Sequence, residues 1–236
     1  MSHNQNISHI ANVNSIENLA VTFPMWSIPD GNYDPFHKGQ NVNFALNIEK
    51  AKIRKALKKQ CYLKQRTFAE YSFCAKVIGN YSQKGMDGNF LVLDTGTYKF
   101  FMHNYSKKIP YSAGEFIVGH GLIEVDYFIW GEQSYKIQDV PDIYFDFVIE
   151  KILYIKFPVE CTTVNDEVII LYTSLSSPES EYEIVEIENM ADEDEGAIEL
   201  EEQLNDDNIA TYATRSFTLF ILKRVGLYPA PFLNNN

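Results

Sequence analysis

The chain has 236 residues, and 32 acidic against 20 basic side chains give it a formal net charge of −12 at pH 7. Because 45% of its residues are hydrophobic and 14% are aromatic, it has enough apolar surface for a packed core, which excludes a protein that is disordered throughout. No apolar run approaches the ~18 residues of a transmembrane helix, and the N-terminus lacks the basic and apolar regions of a secretory signal.

Residues 1–40 form the first segment, a polar arm that is rich in Asn and Ser and interrupted by prolines. The next segment, 41–69, contains helix-forming residues and neither Gly nor Pro. Its apolar residues share one stripe at helical spacing: Leu46, Ile53, Leu57 and Cys61. Since residues 48–66 carry eight basic side chains and one acidic side chain, the pattern predicts a basic amphipathic helix over 41–69.

Residues 70–157 form the third segment, in which hydrophobic residues alternate with polar ones between regularly spaced turns. This alternation predicts strands at 72–81, 89–94, 97–104, 114–130 and 142–157. Gly114, Gly119 and Gly121 lie where the fourth of these strands would bend or bulge. Short strands with glycine bends predict a small closed barrel rather than an open parallel sheet.

Residues 158–236 form the last segment, a β extension. Its predicted strands are 167–172, 182–187 and 216–225. Between the last two lies an acidic loop, 188–208, which is too charged to pack on itself, and residues 179–207 as a whole carry fourteen acids and no base. The predicted fold class is therefore mainly β, of the α+β type: a small barrel, an N-terminal basic helix, and a β extension with an acidic insert.

Three patterns within 72–125 resemble the OB fold: AKVIGNY, where the first strand bends at a glycine, the hairpin FLVLDTGTYKFF, and the glycine-containing strand GEFIVGHGLI. The resemblance implies an OB-like β-barrel with a concave face, which in many such proteins binds single-stranded nucleic acid through aromatic side chains in a basic groove. For this alternative, the candidate contacts are Lys52, Lys55 and Lys59 of the helix and Tyr98 and Phe100 of the barrel. Residues 71–157 hold eight Lys, no Arg and ten acids, so charge disfavours a nucleic-acid partner.

Asp94-Thr95-Gly96 has the form of an aspartic-protease active-site loop. Such an enzyme needs two aspartates that share a proton, and this chain has one D-[TS]-G, so a homodimer would be required. The family usually continues with a small residue, whereas here Thr97-Tyr98 follows. A hairpin turn is the preferred interpretation, and a homodimeric protease that uses Asp94 is a remote alternative.

His120, Glu124 and Asp126 would share one face of a regular strand, which is more typical of a solvated cluster than of a metal site. The three cysteines are an odd number without a C-x-x-C pair, which favours reduced thiols in a cytoplasmic protein. The chain has no phosphate-binding loop, serine elbow or paired histidines. We therefore expect no enzyme, no metal site and no cofactor.

The sequence thus favours non-catalytic protein binding through an acidic surface. In size, charge and lack of catalytic motifs, the chain resembles the immunity proteins of bacterial toxin systems, which implies an inhibitor that masks a basic toxin or effector and is steered to it by charge. The candidate partner-binding residues are Glu179, Glu181, Tyr182, Glu183, Asp192, Glu193, Asp194, Glu195 and Tyr212. The alternative is an OB-type subunit that binds single-stranded nucleic acid or assembles a complex, and neither hypothesis involves a membrane.

Overall fold

The computed structural model describes residues 18–24, 27–28, 31–82, 89–104, 111–126, 130–131, 139–164, 167–170, 183–190, 199–205 and 208–225. Within them thirteen strands form one continuous sheet, so the fold is mainly β, as predicted. The strands are β1 (Asn18–Phe23), β2 (Asn41–Phe44), β3 (Leu46–Lys55), β4 (Tyr62–Thr67), β5 (Glu70–Ser82), β6 (Asn89–Asp94), β7 (Lys99–Asn104), β8 (Phe116–Val125), β9 (Phe145–Val164), β10 (Glu167–Ile170), β11 (Glu183–Ile187), β12 (Glu199–Asn205) and β13 (Asn208–Arg224).

Five of these strands close into a barrel. The antiparallel pairs β5–β6, β6–β7 and β5–β8 form most of the wall. β3 completes the ring by pairing antiparallel with β8 and parallel with β7. A closed five-stranded barrel is consistent with the OB-like barrel that the resemblance implies. The predicted glycine bend is confirmed as well, because the register between β5 and β6 shifts between Val77 and Gly79.

The strand that closes the barrel is not the expected one. Residues 142–157 were predicted to belong to the barrel, but this segment falls largely in β9, which pairs with β2, β10, β11 and β13 outside the ring. β3 takes the position instead, although it precedes the other four strands in the chain. Strands that follow one another in the chain pair more often than not. The sequence prediction assumed that order for the barrel strands, and the protein departs from it.

The basic amphipathic helix predicted over 41–69 is wrong, because this segment forms β2, β3 and β4. Leu46 and Ile48 are buried in the barrel core, which is the alternation of a strand. Leu57, which the helical stripe would bury, is 96% exposed in the loop after β3. Helix propensity is a weak preference, and the burial of β3 within the sheet overrides it. No helix in the described part of the chain is long and apolar enough to cross a membrane.

The extension is built on a long antiparallel ribbon of β9 and β13. β1 pairs with β13 and contacts β8 in parallel, so it connects the ribbon to the barrel. β1 belongs to the segment 1–40 that was predicted as a polar arm, but Leu19 and Val21 are fully buried, so this part of the segment is a core strand. Residues 1–17 of the predicted arm lie outside the described residues.

The acidic loop predicted at 188–208 contains a strand. β12 pairs with β13 from Glu199↔Thr214 to Asn205↔Asn208, so about a third of the predicted loop lies in a paired strand. Charge alone therefore did not prevent strand formation, because the partner strand satisfies the backbone N–H and C=O groups. The most acidic stretch, 191–198, lies outside the described residues.

One hydrophobic core extends from the barrel into the extension. The same cluster contains Phe73 and Phe100 of the barrel and Phe147 and Phe220 of the ribbon. The boundary predicted between 157 and 158 falls inside β9, so it does not separate two cores. Barrel and extension therefore share their buried surface.

Candidate binding surface

The outer wall of the barrel at β6 and β7 is covered by the protein's own chain. Phe90 and Phe101 lie on this wall and pack against Trp130 and Ile143 in a separate buried cluster. The rings of Phe101 and Trp130 stack with centroids 5.3 Å apart. The second and third strands of an OB fold form its usual ligand face. In this protein a ligand could reach the corresponding wall only by displacing Trp130.

Tyr98 and Phe100, the two aromatic residues predicted to contact nucleic acid, are core residues. Tyr98 is 2% exposed and Phe100 is 0% exposed. Tyr98 packs edge-on against Phe145 at a centroid distance of 5.7 Å, and its burial raises its pKa to about 12. Neither ring can stack on a base, so this part of the prediction is wrong. Strand alternation places about half of the aromatic residues inside, and both residues belong to that half.

A second part of the outer wall, formed by β3, β8, β5 and β4, is exposed and basic. Cross-strand register places Lys52 beside His120, His120 beside Ser72, and Ser72 beside Lys64. Neighbouring strands lie ~4.8 Å apart, so this row runs about 14 Å across the wall. Lys52 and Lys64 are exposed at its two ends, and His120 and Ser72 are half-buried between them.

A parallel row lies two residues further along these strands. It consists of Arg54, Val118, Cys74 and Tyr62, again in direct cross-strand register. Arg54 is exposed, and 42% of the Tyr62 surface is accessible. The two rows are ~6.6 Å apart along the strands. Together they place cations at both sides of a partly apolar strip, with an aromatic ring at one edge.

The loop between β3 and β4 extends this basic surface. The thiol of Cys74 donates a hydrogen bond to the backbone oxygen of Lys58 at 3.8 Å, which holds the loop against β5. Lys58 and Lys59 are exposed, as is Leu57 between β3 and these lysines. We define the basic face by its five cations: Lys52, Arg54, Lys58, Lys59 and Lys64.

The cations of the basic face have no ion-pair partner among the described residues. The two neighbouring cations do have partners: Lys55 contacts Glu115 at 2.5 Å, and Arg66 contacts Glu70 at 2.8 Å. The Glu115 contact raises the pKa of Lys55, chiefly through the side-chain hydrogen bond. Of the predicted nucleic-acid contacts, Lys52 and Lys59 thus belong to the basic face, while Lys55 is neutralised within the protein.

The predicted acidic partner-binding residues lie almost entirely outside the described residues. Glu183 is described, and it is exposed on β11. Tyr212 lies in β13 opposite Glu160, and its backbone alone is described. The residues outside the description are Glu179, Glu181, Tyr182, Asp192, Glu193, Asp194 and Glu195. The acidic binding surface therefore stays a prediction.

Two acids near Glu183 are neutralised within the protein. Lys38 contacts Glu186 at 3.0 Å and Glu188 at 2.8 Å, and Lys151 contacts Glu186 at 2.9 Å. These pairs connect β11 to β9 and to the chain before β2. Glu186 and Glu188 belong to the acidic segment 179–207. Part of the negative charge that is predicted to steer a partner is therefore engaged in ion pairs within the protein.

Asp94 lies in the hairpin turn between β6 and β7, where the sequence placed it. Its carboxylate accepts a hydrogen bond from the backbone N–H of Gly96 at 2.7 Å, and the Thr95 hydroxyl donates to the backbone oxygen of Tyr98 at 2.9 Å. Gly96 has a φ of +86°, which favours glycine. These contacts are those of a turn.

His120, Glu124 and Asp126 lie on or just after β8, where Asp126 is buried and His120 and Glu124 are half-buried. In the part of the chain that the structure describes, no group of three His, Cys, Asp or Glu residues is placed to hold a metal ion. The carboxylate of Asp126 accepts a hydrogen bond from the backbone N–H of Trp130 at 3.0 Å, which helps to fix Trp130 over the barrel wall.

Sequence reasoning found the basic residues but placed them on the wrong element, and it did not select Arg54, Tyr62 and Lys64. In β4 the residues Tyr62, Lys64 and Arg66 are exposed, and the residues between them are half-buried. The sequence does not show this alternation, because two of the three half-buried positions hold the polar residues Gln65 and Thr67.

This chain matches no protein-family model, no curated protein and no solved structure.

Proposed function

We propose that this protein is a non-catalytic binding protein whose basic face docks an acidic macromolecular partner. One observation carries the proposal: three exposed cations on β3 and β4 and two in the loop between these strands have no described carboxylate paired to any of them. The chain has an excess of twelve acids (32 − 20), yet the described acids do not neutralise this face. Clustered like charges repel one another, so a partner that neutralises them gains binding energy.

Exposed charges of this kind act mainly on the rate at which two partners associate. An exposed charge contributes little to folding stability, whereas a patch of one sign raises the association rate of a partner of the opposite sign. We therefore expect binding that weakens steeply as salt increases, because at about 0.1–0.15 M salt exposed charges more than about 8–10 Å apart are largely screened from each other.

The test uses heparin as a polyanion probe and the double variant Lys52→Thr/Lys64→Thr. A matched control, Lys151→Thr/Lys223→Thr, removes the same charge from exposed strand positions on the ribbon. We expect the face variant to bind heparin more weakly and to lower the slope of log Kd against log salt by about 1.4–1.8, since each lost contact contributes roughly 0.7–0.9. The control should bind like the unmodified chain. Equal weakening in both variants, or no heparin binding at low salt, contradicts the proposal.

A second candidate function rests on the sequence of residues 179–207, which carry fourteen acids and no base. We propose, as this second candidate, that the protein is an inhibitor of the immunity-protein type, which would mask a basic toxin with the acidic surface of residues 179–207. Affinity capture from the native cells at low salt, with and without nuclease, separates the two candidates. One stoichiometric basic protein that is retained after nuclease supports the inhibitor, whereas partners that nuclease releases support the basic face.

A further inference from the structure

We infer that the partner of the basic face is a single-stranded nucleic acid, which runs along the wall formed by β3, β8, β5 and β4 and stacks a base on Tyr62. This inference rests on the proposed function and names the ligand class of the same surface. It places the ligand on a different wall from the β6–β7 face, which Trp130 covers.

The cations of the basic face are spread along two directions. Lys52 and Arg54 lie ~6.6 Å apart on β3, and Lys64 lies about 14 Å from Lys52 across three strand spacings. Lys58 and Lys59 continue the charge into the adjoining loop. Positive charges distributed along two directions suit a polymer with a charge on every unit. A compact anion would instead need cations that converge on one point.

The exposed aromatic ring of Tyr62 lies among these charges. Tyr62 lies on the edge strand β4, with Lys64 two residues away on the same face and Arg54 in its own cross-strand row. Its 42% exposure contrasts with the nearly complete burial of Tyr98 and Phe100. Aromatic rings in basic surfaces bind single strands by stacking on unpaired bases, largely without regard to sequence.

The strands and the exposed ring of the basic face suit a single strand better than a duplex. Proteins that read the bases of a duplex in its major groove insert a helix or a two-stranded ribbon there. Lys52, Arg54 and Lys64 of the basic face lie on strands and not on a helix, and Tyr62 can stack only on a base that is not already paired. A flexible single strand can follow this face with its phosphates on the lysines and a base on Tyr62.

The test measures binding of a labelled dT12 strand, a 12-base-pair duplex and polyglutamate to the full chain. The variants are Tyr62→Ala, Tyr62→Phe and the control Tyr144→Ala, which truncates another exposed tyrosine, on a different part of the surface. We expect dT12 to bind more tightly than the other two probes. Tyr62→Ala should weaken dT12 binding roughly tenfold, and Tyr62→Phe should stay within about twofold because it keeps the stacking ring.

The outcomes separate the inference from the proposed function. If Lys52→Thr/Lys64→Thr weakens dT12 binding but Tyr62→Ala does not, the face binds polyanions without stacking and the inference is overturned. Tighter binding of the duplex or of polyglutamate overturns it as well, and polyglutamate would indicate an acidic protein as the partner. If none of the three probes nor heparin binds, the proposed function itself fails. Thermal melting of the Tyr62 variants checks that β4 remains folded.

Discussion

His103 lies flat against Phe90 on the covered wall of the barrel. The two rings are nearly parallel, at 17°, with centroids 4.7 Å apart. Burial lowers the pKa of His103, and the nearby carboxylate of Glu49 raises it only in part. The folded protein therefore disfavours the charged form of this histidine, which has consequences for stability near neutral pH.

The folded-state pKa of His103 lies below its ordinary value of about 6.5, so the unfolded chain binds more protons as the pH falls below that value. The stability that neutral His103 provides is fully present above pH 6.5, and it is lost as the pH falls towards the folded-state pKa. We expect His103→Phe, which keeps a stacked ring, to flatten the pH dependence of the free energy of unfolding.

Urea denaturation at several values between pH 5.5 and 8 measures this dependence. His37→Gln is the control, because it removes a histidine whose side chain is exposed rather than stacked in the covered wall. A His103→Phe protein with the same slope as the unmodified chain would show that another group dominates this pH range.

At the scale of elements, β3 and β8 approach each other unusually closely. The register between them shifts between Glu49 and Lys52, so β3 bulges towards β8. A Cβ atom on Gly119 would lie 2.5 Å from the backbone oxygen of Lys52, and one on Gly121 would lie 2.8 Å from that of Glu49. The glycines do not bulge β8 itself, as the sequence suggested; they make room for the bulge in its partner.

Gly121→Ala should therefore destabilise the protein by about 1–3 kcal/mol, because backbone atoms of β3 must shift to admit the methyl group. The matched control is His120→Ala on the same strand, which shortens a half-buried side chain and adds no atom. Chemical denaturation of both variants measures the difference. Equal stability of Gly121→Ala and the unmodified chain would show that β3 relaxes without cost.

The error at β3 and β4 shows the limit of local pattern. Residues 44–68 have high helix propensity and apolar positions that also fit a helix, so their sequence does not choose between the two forms. The choice depends on β7 and β8, whose edges need a strand to close the ring. Single strands elsewhere were predictable because alternation and turn residues both indicated them, as at β6, whose predicted and observed bounds agree.

At the scale of the whole molecule, aromatic residues from several elements tie the barrel to the ribbon. Tyr98 in the barrel turn packs against Phe145 and Phe147 of β9, with ring centroids 5.7 and 6.2 Å apart. Phe220 of β13 stacks on Phe23 of β1 at 4.9 Å and also packs against Phe36 and Phe44. Arg224, near the end of β13, donates a hydrogen bond to the backbone oxygen of Thr97 in the barrel turn at 2.9 Å. Such shared contacts predict one cooperative folding unit.

Phe220→Ala should cost about 3–5 kcal/mol, since it opens a cavity among buried rings, and the milder Phe220→Leu should cost less than about 1.5 kcal/mol. Trp130 fluorescence in a Trp26→Phe background follows the barrel, and far-UV circular dichroism follows all strands. We expect both signals to shift together in each variant. A Trp130 transition that stays in place while the dichroism changes would mean that barrel and ribbon unfold separately.

The sequence by itself determined the mainly β class, most strand positions between β5 and β13, and the hairpin turn at Asp94, because these depend on alternation and turn chemistry along a few residues. It also located the clustered positive charge. Only the tertiary structure decided that β3 closes the barrel, that Tyr98 and Phe100 are buried, and that Tyr62 lies among the cations of the basic face. Those features depend on pairing between segments far apart in the chain, and a local sequence pattern does not indicate which distant segments pair.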